Sequence, residues 1–301
     1  MPFYNKKWKD KVVKKLTGGL GQLVKARKIT YLKGMAKFLD STTLEVDLAD
    51  EGKKKITFEN VIIATGASPI QLPNIKTDDP RIINSAASLD LKDIPGKMLV
   101  VGGGYIGLEM ATIYRALNTE ISVVEMTGDF MPGMDTDLIA TYKKANKAAF
   151  KDVFFETKVT KIGEKGDKLK VEFEKKEGKK FSKQYDKVLV SIGQKPNTQN
   201  LGLDNISVER DEKDFIKVNE KQQTSEKNIY AIGDVTGPPL LAHKAMYEGR
   251  VVAEVISGRK SVNDAKAIPA VIYTEPEIAT CGLSEKEAKG TNMIFLCFSR
   301  K

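Results

Sequence analysis

The chain has 301 residues, 41% hydrophobic and 30% charged, with 49 Lys and Arg against 40 Asp and Glu for a formal net charge of +9. That length suits two ordinary domains with a sizeable core, and the lack of any apolar run of about 18 residues or of a signal segment argues against membrane insertion and secretion. Lysine is spread along the whole sequence with no aromatic interleaving, and Cys281 and Cys297 form neither a disulfide framework nor a metal pattern; no nucleic acid, no membrane and no metal are therefore expected, and a cytoplasmic location is.

In chain order, Trp8, Val12, Leu16, Leu20 and Leu23 or Val24 recur at three- to four-residue intervals, which predicts a helix over 5–27. Gly18, Gly19 and Gly21 interrupt it, each costing about 1 kcal/mol relative to Ala. This helix needs a surface to pack on, and its natural partner is expected outside this chain. Residues 29–66 read as β structure: 29–32, 43–48, 56–58 and 61–64, with a turn at Asp50-Glu51-Gly52. The last of these strands, VIIATGASP, ends in Thr65-Gly66-Ala67, a small turn that suits either close backbone approach by a ligand or plain chain reversal. A Pro-rich stretch over 69–80 and the Pro95-Gly96 turn then lead into the central unit.

That unit is KMLVVGGGYIGLEMATIYRALNTEISVVE, Lys97 to Glu125. A short apolar run suited to a buried strand precedes Gly102, Gly104 and Gly107 in GxGxxG spacing; an apolar helix follows, then a second strand ending on Glu125. The first glycine permits the tight turn, the second lets backbone approach a pyrophosphate, and the third lets helix and strand pack closely. The helix N-terminus offers N–H groups to phosphates. Glu125 lies where a carboxylate accepts from a ribose 2′-OH and repels a 2′-phosphate, which favours NAD over NADP. Glu109 is out of place among Ile106, Leu108, Met110 and Ile113: it either faces solvent or awaits a cationic partner.

After Glu125 a loop precedes a helix over 135–150, capped by Asp135 or Thr136, and three strands near 153–161, 168–174 and 185–192. The third repeats the strand-to-glycine design and ends at Gly193. Short strands at 215–218 and 228–232 follow, the second closing on Gly233-Asp234, where Asp234 either accepts from ligand hydroxyls or makes an Asx turn or helix cap. His243, the single histidine, opens the next helix as either an active-site base or a structural residue. A strand, a turn at Glu275-Pro276, another strand and a helix capped by Ser284 and Glu287 complete the readable pattern before TNMIFLCFSRK.

Seven stretches, VIIATGASP, VVGGGYIGLE, ISVVE, VLVSIGQKPN, NIYAIGDV, LLAHKAMYEG and YTEPEIATCGLSEKEA, stand in an order that resembles the FAD-dependent disulfide reductases of the pyridine nucleotide-disulfide oxidoreductase family, over about Lys7 to Lys289. LAHKA and YTEPEIA are similar to the dihydrolipoamide-oxidising branch. The resemblance implies an α/β, Rossmann-like fold with two dinucleotide-binding domains, and FAD and NAD as cofactors. It places FAD-domain parts at 1–91 and 214–262, the NAD domain at 92–213 and the start of a dimerisation domain at 263–301. Gly102, Gly103, Gly104, Ile106, Gly107, Glu125, Val159 and Gly193 match NAD contacts, with Tyr105 as an aromatic gate. Ala36, Thr65, Gly66, Ala67, Asp234, Leu241, Ala242 and His243 match FAD positions, Asp234 on the ribityl chain, and Glu109 matches a carboxylate that pairs with a lysine beside the flavin.

The departures count as much. Relatives open with a second GxGxxG and a CxxxxC redox disulfide followed by that lysine, and close with a His-Glu acid/base pair; none is in this sequence. The resemblance therefore implies a chain shortened at both ends, with an incomplete FAD loop and interface domain. Its lineage reaction passes electrons from dihydrolipoamide through FAD to NAD, with a lipoyl domain of a 2-oxo-acid dehydrogenase complex as partner and a homodimer at full length. No catalytic residue is expected in this chain, because thiol exchange cannot start without the disulfide. The alternatives are a stand-alone NAD-binding module, a non-functional fragment, or another disulfide reductase.

Overall fold

A computed structural model describes residues 2–73, 75 and 78–291, with side chains from residue 6 onward. Cys297 and the stretch from Asn292 onward lie outside the described residues. The chain divides into two compact units, one of residues 3–68 and 195–266, the other of 69–194 with those from 267 onward.

The second unit is built on five parallel strands in the spatial order Ile82–Asn84, Lys187–Val190, Lys97–Val101, Glu120–Val124, Asp152–Phe154. Such a sheet is covered on both faces, so its strands read as unbroken apolar runs. Side chains alternate across it. Met98, Val100, Ile121, Val123 and Leu189 pack with the helix Tyr105–Ala116 through Leu108, Ala111 and Tyr114, and with Ile139 and Tyr142 of the helix Thr136–Ala145. Leu99, Val101, Val124, Val188 and Val190 face the other way, onto Leu169, Val171, Phe173 and Tyr185 of an antiparallel meander, Thr157–Lys165, Lys168–Lys175 and Lys180–Tyr185. Asp186 joins meander to sheet: its carboxylate accepts from Lys97 N at 2.7 Å and Lys168 Nζ at 2.7 Å. Burial works to raise the Asp186 pKa, but the Lys168 ammonium and the Lys97 N–H together hold it below the usual carboxylate range.

Sequence reading and structure differ here over the helix expected at 135–150, which ends at Ala145. Asn146 stops it, donating through Nδ2 to the carbonyls of Tyr142 at 3.1 Å and Glu275 at 2.6 Å.

The first unit has an antiparallel sheet of Gly34–Asp40, Thr43–Leu48 and Lys53–Thr57, and a parallel ladder of two strands, Val61–Ile63 and Ile229–Ala231. Phe38, Ile63, Leu203, Ile216, Ile229 and Val235 form its core. The helix Pro2–Ala26 runs uninterrupted through its three glycines and leaves Trp8 65%, Leu16 66% and Leu20 64% exposed. The strand expected at 29–32 is absent. Its would-be ladder partner ends first: Gly34 pairs with Leu48, and the partner chain turns away through Gly52. The segment expected as a strand at 215–218 makes only a single bridge, Arg210 to Ile216.

Candidate functional site

In the parallel sheet, the strand Lys97–Val101 continues to Glu120–Val124 on one side and is flanked by Lys187–Val190 on the other. Chain connections therefore diverge at the carboxyl end of Lys97–Val101, and in open parallel sheets such a switch point opens the ligand crevice. Gly102 to Gly107 stand there. Gly102 has φ +107°, and a Cβ on it would run into the Ser191 carbonyl, which the neighbouring strand brings up through Ser191 N donating to Val101 O at 2.8 Å. A Cβ on Gly107 would collide with the Gly102 carbonyl and with Val100, so helix and strand close to backbone contact. Gly104 is the opposite case, with nothing within 4 Å of a Cβ position. It is the N-cap of Tyr105–Ala116, and no side chain caps that helix. The open space and the first-turn N–H groups together suit an anion such as a pyrophosphate.

Glu125 ends the next strand, half-buried. Its Oε2 accepts from Gly103 N at 2.7 Å, and its Oε1 accepts from Thr127 N at 2.8 Å and lies 3.0 Å from Thr127 Oγ1. The carboxylate is thus fixed to the glycine turn before any ligand arrives and keeps lone pairs for ribose hydroxyls. Thr127 has no signal in the sequence reading, because a Thr two residues after an acid is ordinary. Gly193 follows the strand Lys187–Val190 with φ +129°, and its carbonyl accepts from Ile70 N at 3.0 Å. Val159, half-buried, packs on the same cluster as Val101 and Val124. Tyr105 is 40% exposed at the helix start, and Ile106 is half-buried beside it. The structure thus brings Gly102 to Gly107, Glu125 and Gly193 to one end of one sheet.

In the other unit, the turns at Thr65-Gly66 and Gly233-Asp234 both leave the carboxyl end of the two-stranded ladder, where Ile232 N donates to Ile63 O at 3.0 Å. Asn197 ties the first turn: its N–H donates to Gly66 O at 2.9 Å and its Nδ2 to Thr65 O at 2.9 Å, while Thr65 Oγ1 donates to its carbonyl at 2.8 Å. A Cβ on Gly66 would meet nothing within 4 Å, and Ala67 beside it is half-buried. Ala36, half-buried, pairs with Val46 in the antiparallel sheet.

Asp234 lies in a short 3-10 turn, Gly233–Thr236; its carboxylate is half-buried and takes no hydrogen bond or ion pair among the described residues. A carboxylate so placed is an acceptor in search of donors. Leu241 is the N-cap of the helix Ala242–Ile256, on which Ala242 and His243 are exposed. Sequence reasoning passed over Lys244 and Glu248 of the same helix, side chains only 9% and 4% exposed and paired at 2.9 Å. The signal was present as a Lys and a Glu four apart on an otherwise apolar face.

Glu109, for which solvent and a cationic partner were the alternatives, is half-buried and its Oε1 accepts from Tyr273 N at 2.8 Å. Burial pushes its pKa up, opposed by that N–H. Among the described residues no cluster could hold a metal ion, and no helix is long and apolar enough to cross a membrane.

The glycine turn, the fixed Glu125 and the open Gly104 fit a dinucleotide, and the unpaired Asp234 beside the open Gly66 turn fits a hydroxyl-bearing cofactor. The family model described as pyridine nucleotide-disulphide oxidoreductase matches residues 3–249. The chain is 47% identical over 282 residues to a dihydrolipoyl dehydrogenase of Vibrio cholerae, covering 94% of this chain and 59% of that protein. It is 39% identical to a dihydrolipoyl dehydrogenase of Bacillus subtilis, covering 94% of this chain and 60% of that one. It thus spans about three fifths of the length of these curated relatives. Among solved structures, the HOCl-induced flavoprotein disulfide reductase RclA from Escherichia coli superposes with a TM-score of 0.85 at 25% identity, over 95% of this chain and 65% of that one.

Proposed function

The chain belongs to the pyridine nucleotide-disulphide oxidoreductases, and on that premise we propose that it is a dinucleotide-binding protein of the dihydrolipoyl dehydrogenase lineage, with an NAD site in the unit of residues 69–194. The observation that carries this reading is the Glu125 carboxylate, held on Gly103 N at 2.7 Å beside the open Gly104. Gly102 and Gly107 set the turn, the N-terminus of Tyr105–Ala116 receives the pyrophosphate, and Glu125 accepts from the adenosine ribose. Its fixed negative charge turns away a 2′-phosphate. Val159 and Gly193 line the same region, and Tyr105 stands at its mouth.

Thr65, Gly66, Ala67, Asp234, Leu241, Ala242 and His243, with Ala36, are the residues that would hold FAD. When bound, FAD supplies the carrier that takes an electron pair from a dithiol and gives it to NAD as a hydride. Dihydrolipoamide on a lipoyl domain of a 2-oxo-acid dehydrogenase complex is the proposed dithiol, in a cytoplasmic homodimer. These 301 residues contain two cysteines, and neither stands in a CxxxxC pair. By itself the chain is therefore proposed to lack lipoamide-dependent NADH formation. A second reading, a stand-alone NAD-binding module, is favoured by a specific observation: every NAD-side residue lies in one unit with a fully covered sheet.

The test is a visible absorption spectrum of the purified chain followed by titration with NADH and NADPH. Saturable NADH binding, at least tenfold tighter than NADPH and lost in Glu125→Ala, is the expected result. A flavin band bleached by NADH supports the flavoprotein reading, and NADH binding without that band supports the module. No NADH binding overturns both.

A further inference from the structure

Lys244 and Glu248 are buried charges that the reading above does not use. A buried ion pair contributes little stability over an apolar pair of the same shape, so its placement asks for another explanation, and its other contacts supply one. Glu248 Oε1 meets Lys244 Nζ at 2.9 Å, while its Oε2 accepts from Gly233 N at 2.7 Å. Lys244 Nζ donates to Gly233 O at 3.2 Å and to Thr236 Oγ1 at 3.1 Å, and Thr236 Oγ1 donates to Gly233 O at 2.8 Å. Both polar backbone groups of one residue are thus gripped by two side chains one helical turn apart. Gly233 needs that grip: it has φ +76°, and a Cβ on it would press on Ala245 at 3.1 Å. The next residue is Asp234, whose carboxylate has no partner among the described residues.

We infer that Lys244 and Glu248 are positioning residues, a two-sided clamp on the Gly233 peptide that fixes the turn presenting Asp234 to the hydroxyl groups of a bound polyol chain. The inference rests on the flavin half of the proposed function, in which that polyol is the ribityl chain. Lys244 and Glu248 touch no ligand themselves. Their charges neutralise each other, which leaves the Asp234 carboxylate as the unpaired charge of the turn among the described residues. Hydroxyls, being donors that carry no charge, are the complementary groups.

The test titrates FAD and lumiflavin, an isoalloxazine without the polyol chain, by fluorescence quenching against the intact wild-type chain and its Asp234→Asn, Lys244→Met and Glu248→Gln variants. The expected result is a loss of at least tenfold in FAD affinity for Asp234→Asn and Lys244→Met, with lumiflavin affinity held within twofold. An equal loss for both flavins marks a merely structural pair and overturns the assignment, as does no loss for either. Glu248→Gln keeps an acceptor for Gly233 N, and Lys244→Met combined with Glu248→Gln, which leaves neither charge unpaired, guards against a fold lost to a stranded charge. Amide hydrogen exchange gives the flavin-free readout. Faster exchange at Gly233 in Glu248→Ala, with Ile229 to Ala231 unchanged, supports the clamp, and unchanged exchange at Gly233 overturns it. A wild-type chain that binds neither flavin sinks the flavin half of the proposed function, and the exchange data still decide whether the clamp exists.

Discussion

The two units hold their glycine turns by different means. In the unit of residues 69–194, packing does it: Met98, Leu99, Val100 and Val101 are at most 5% exposed, both sheet faces are covered, and the Ser191 carbonyl fills the place of a side chain at Gly102. The other unit has a parallel ladder of only two strands, with Ile62 39% exposed, and a helix whose Trp8, Leu16 and Leu20 lie open. Its turns are tied by side-chain hydrogen bonds instead, Asn197 on Thr65-Gly66 and Lys244 with Glu248 on Gly233. A site held by packing is defined by the sheet that backs it. A site held by polar ties is defined by a few replaceable side chains, each of which is costly to lose singly.

Substitutions can break that contrast, beginning with the buried pair. Lys244→Met strands Glu248 in the interior and is expected to cost about 3 to 5 kcal/mol in urea unfolding followed by circular dichroism. Lys244→Met with Glu248→Leu is expected to regain most of that, and a double variant no better than the single one would mean that the ties on Gly233, not the stranded charge, carry the cost. Gly102→Ala comes next, at about 3 kcal/mol together with loss of NADH binding, since it meets both an unfavourable φ and the Ser191 carbonyl. Its counterpart Gly66→Ala has open space around the Cβ and is expected to cost only about 1 kcal/mol from its φ of +69°. Equal costs at the two glycines would erase the distinction between the units.

Asn197→Ala removes two side-chain bonds, Nδ2 to Thr65 O at 2.9 Å and Ser68 Oγ to Oδ1 at 2.7 Å, and a loss of about 2 kcal/mol in the same assay is expected. The smallest effect is at Glu109. Its pKa is raised in the folded chain, so the folded state binds the proton more tightly than the unfolded one, and stability falls as pH rises from the ordinary carboxylate value through the raised one. Glu109→Gln keeps an acceptor for Tyr273 N and removes the charge. It is expected to raise neutral-pH stability by less than about 1 kcal/mol, the group being half exposed to solvent, and to steepen the rise of stability out of acid, which the wild-type carboxylate opposes. A flatter acid limb in the variant would mean that the carboxylate is stabilised by a cation instead.

The glycine unit was legible in the sequence because its parts are contiguous: strand, turn, helix, strand and acid follow one another between Lys97 and Glu125. The apolar runs of the central strands also announced burial on both faces. Apart from Lys244 and Glu248, one helical turn apart, what escaped reading depends on residues brought together across the chain. Asn197 reaches Thr65 across 132 positions, and Glu109 meets Tyr273 across 164. No spacing rule links such pairs. Ile29 to Leu32 failed for the converse reason: their composition favours a strand, but a strand exists only where a neighbour offers a ladder, and that neighbour ends at Leu48. The helix Pro2–Ala26 was legible in its periodicity despite its glycines.

The strand order also dictates a timetable. Lys187–Val190 lies between Ile82–Asn84 and Lys97–Val101, yet it is the last of the five sheet strands to leave the ribosome. Until then the strand Ile82–Asn84 has no ladder partner, and Lys97–Val101 has one open edge. The meander just before it, Thr157 to Tyr185, consists of local hairpins, the kind of pairing that closes quickly. Lys187–Val190 follows that meander after the single residue Asp186, so the late insertion is delivered by a segment that is already folded. The nascent sheet therefore passes through a stage with two unpaired edges, and synthesis rate across residues 102–187 sets how long those edges stay open to pairing with another chain.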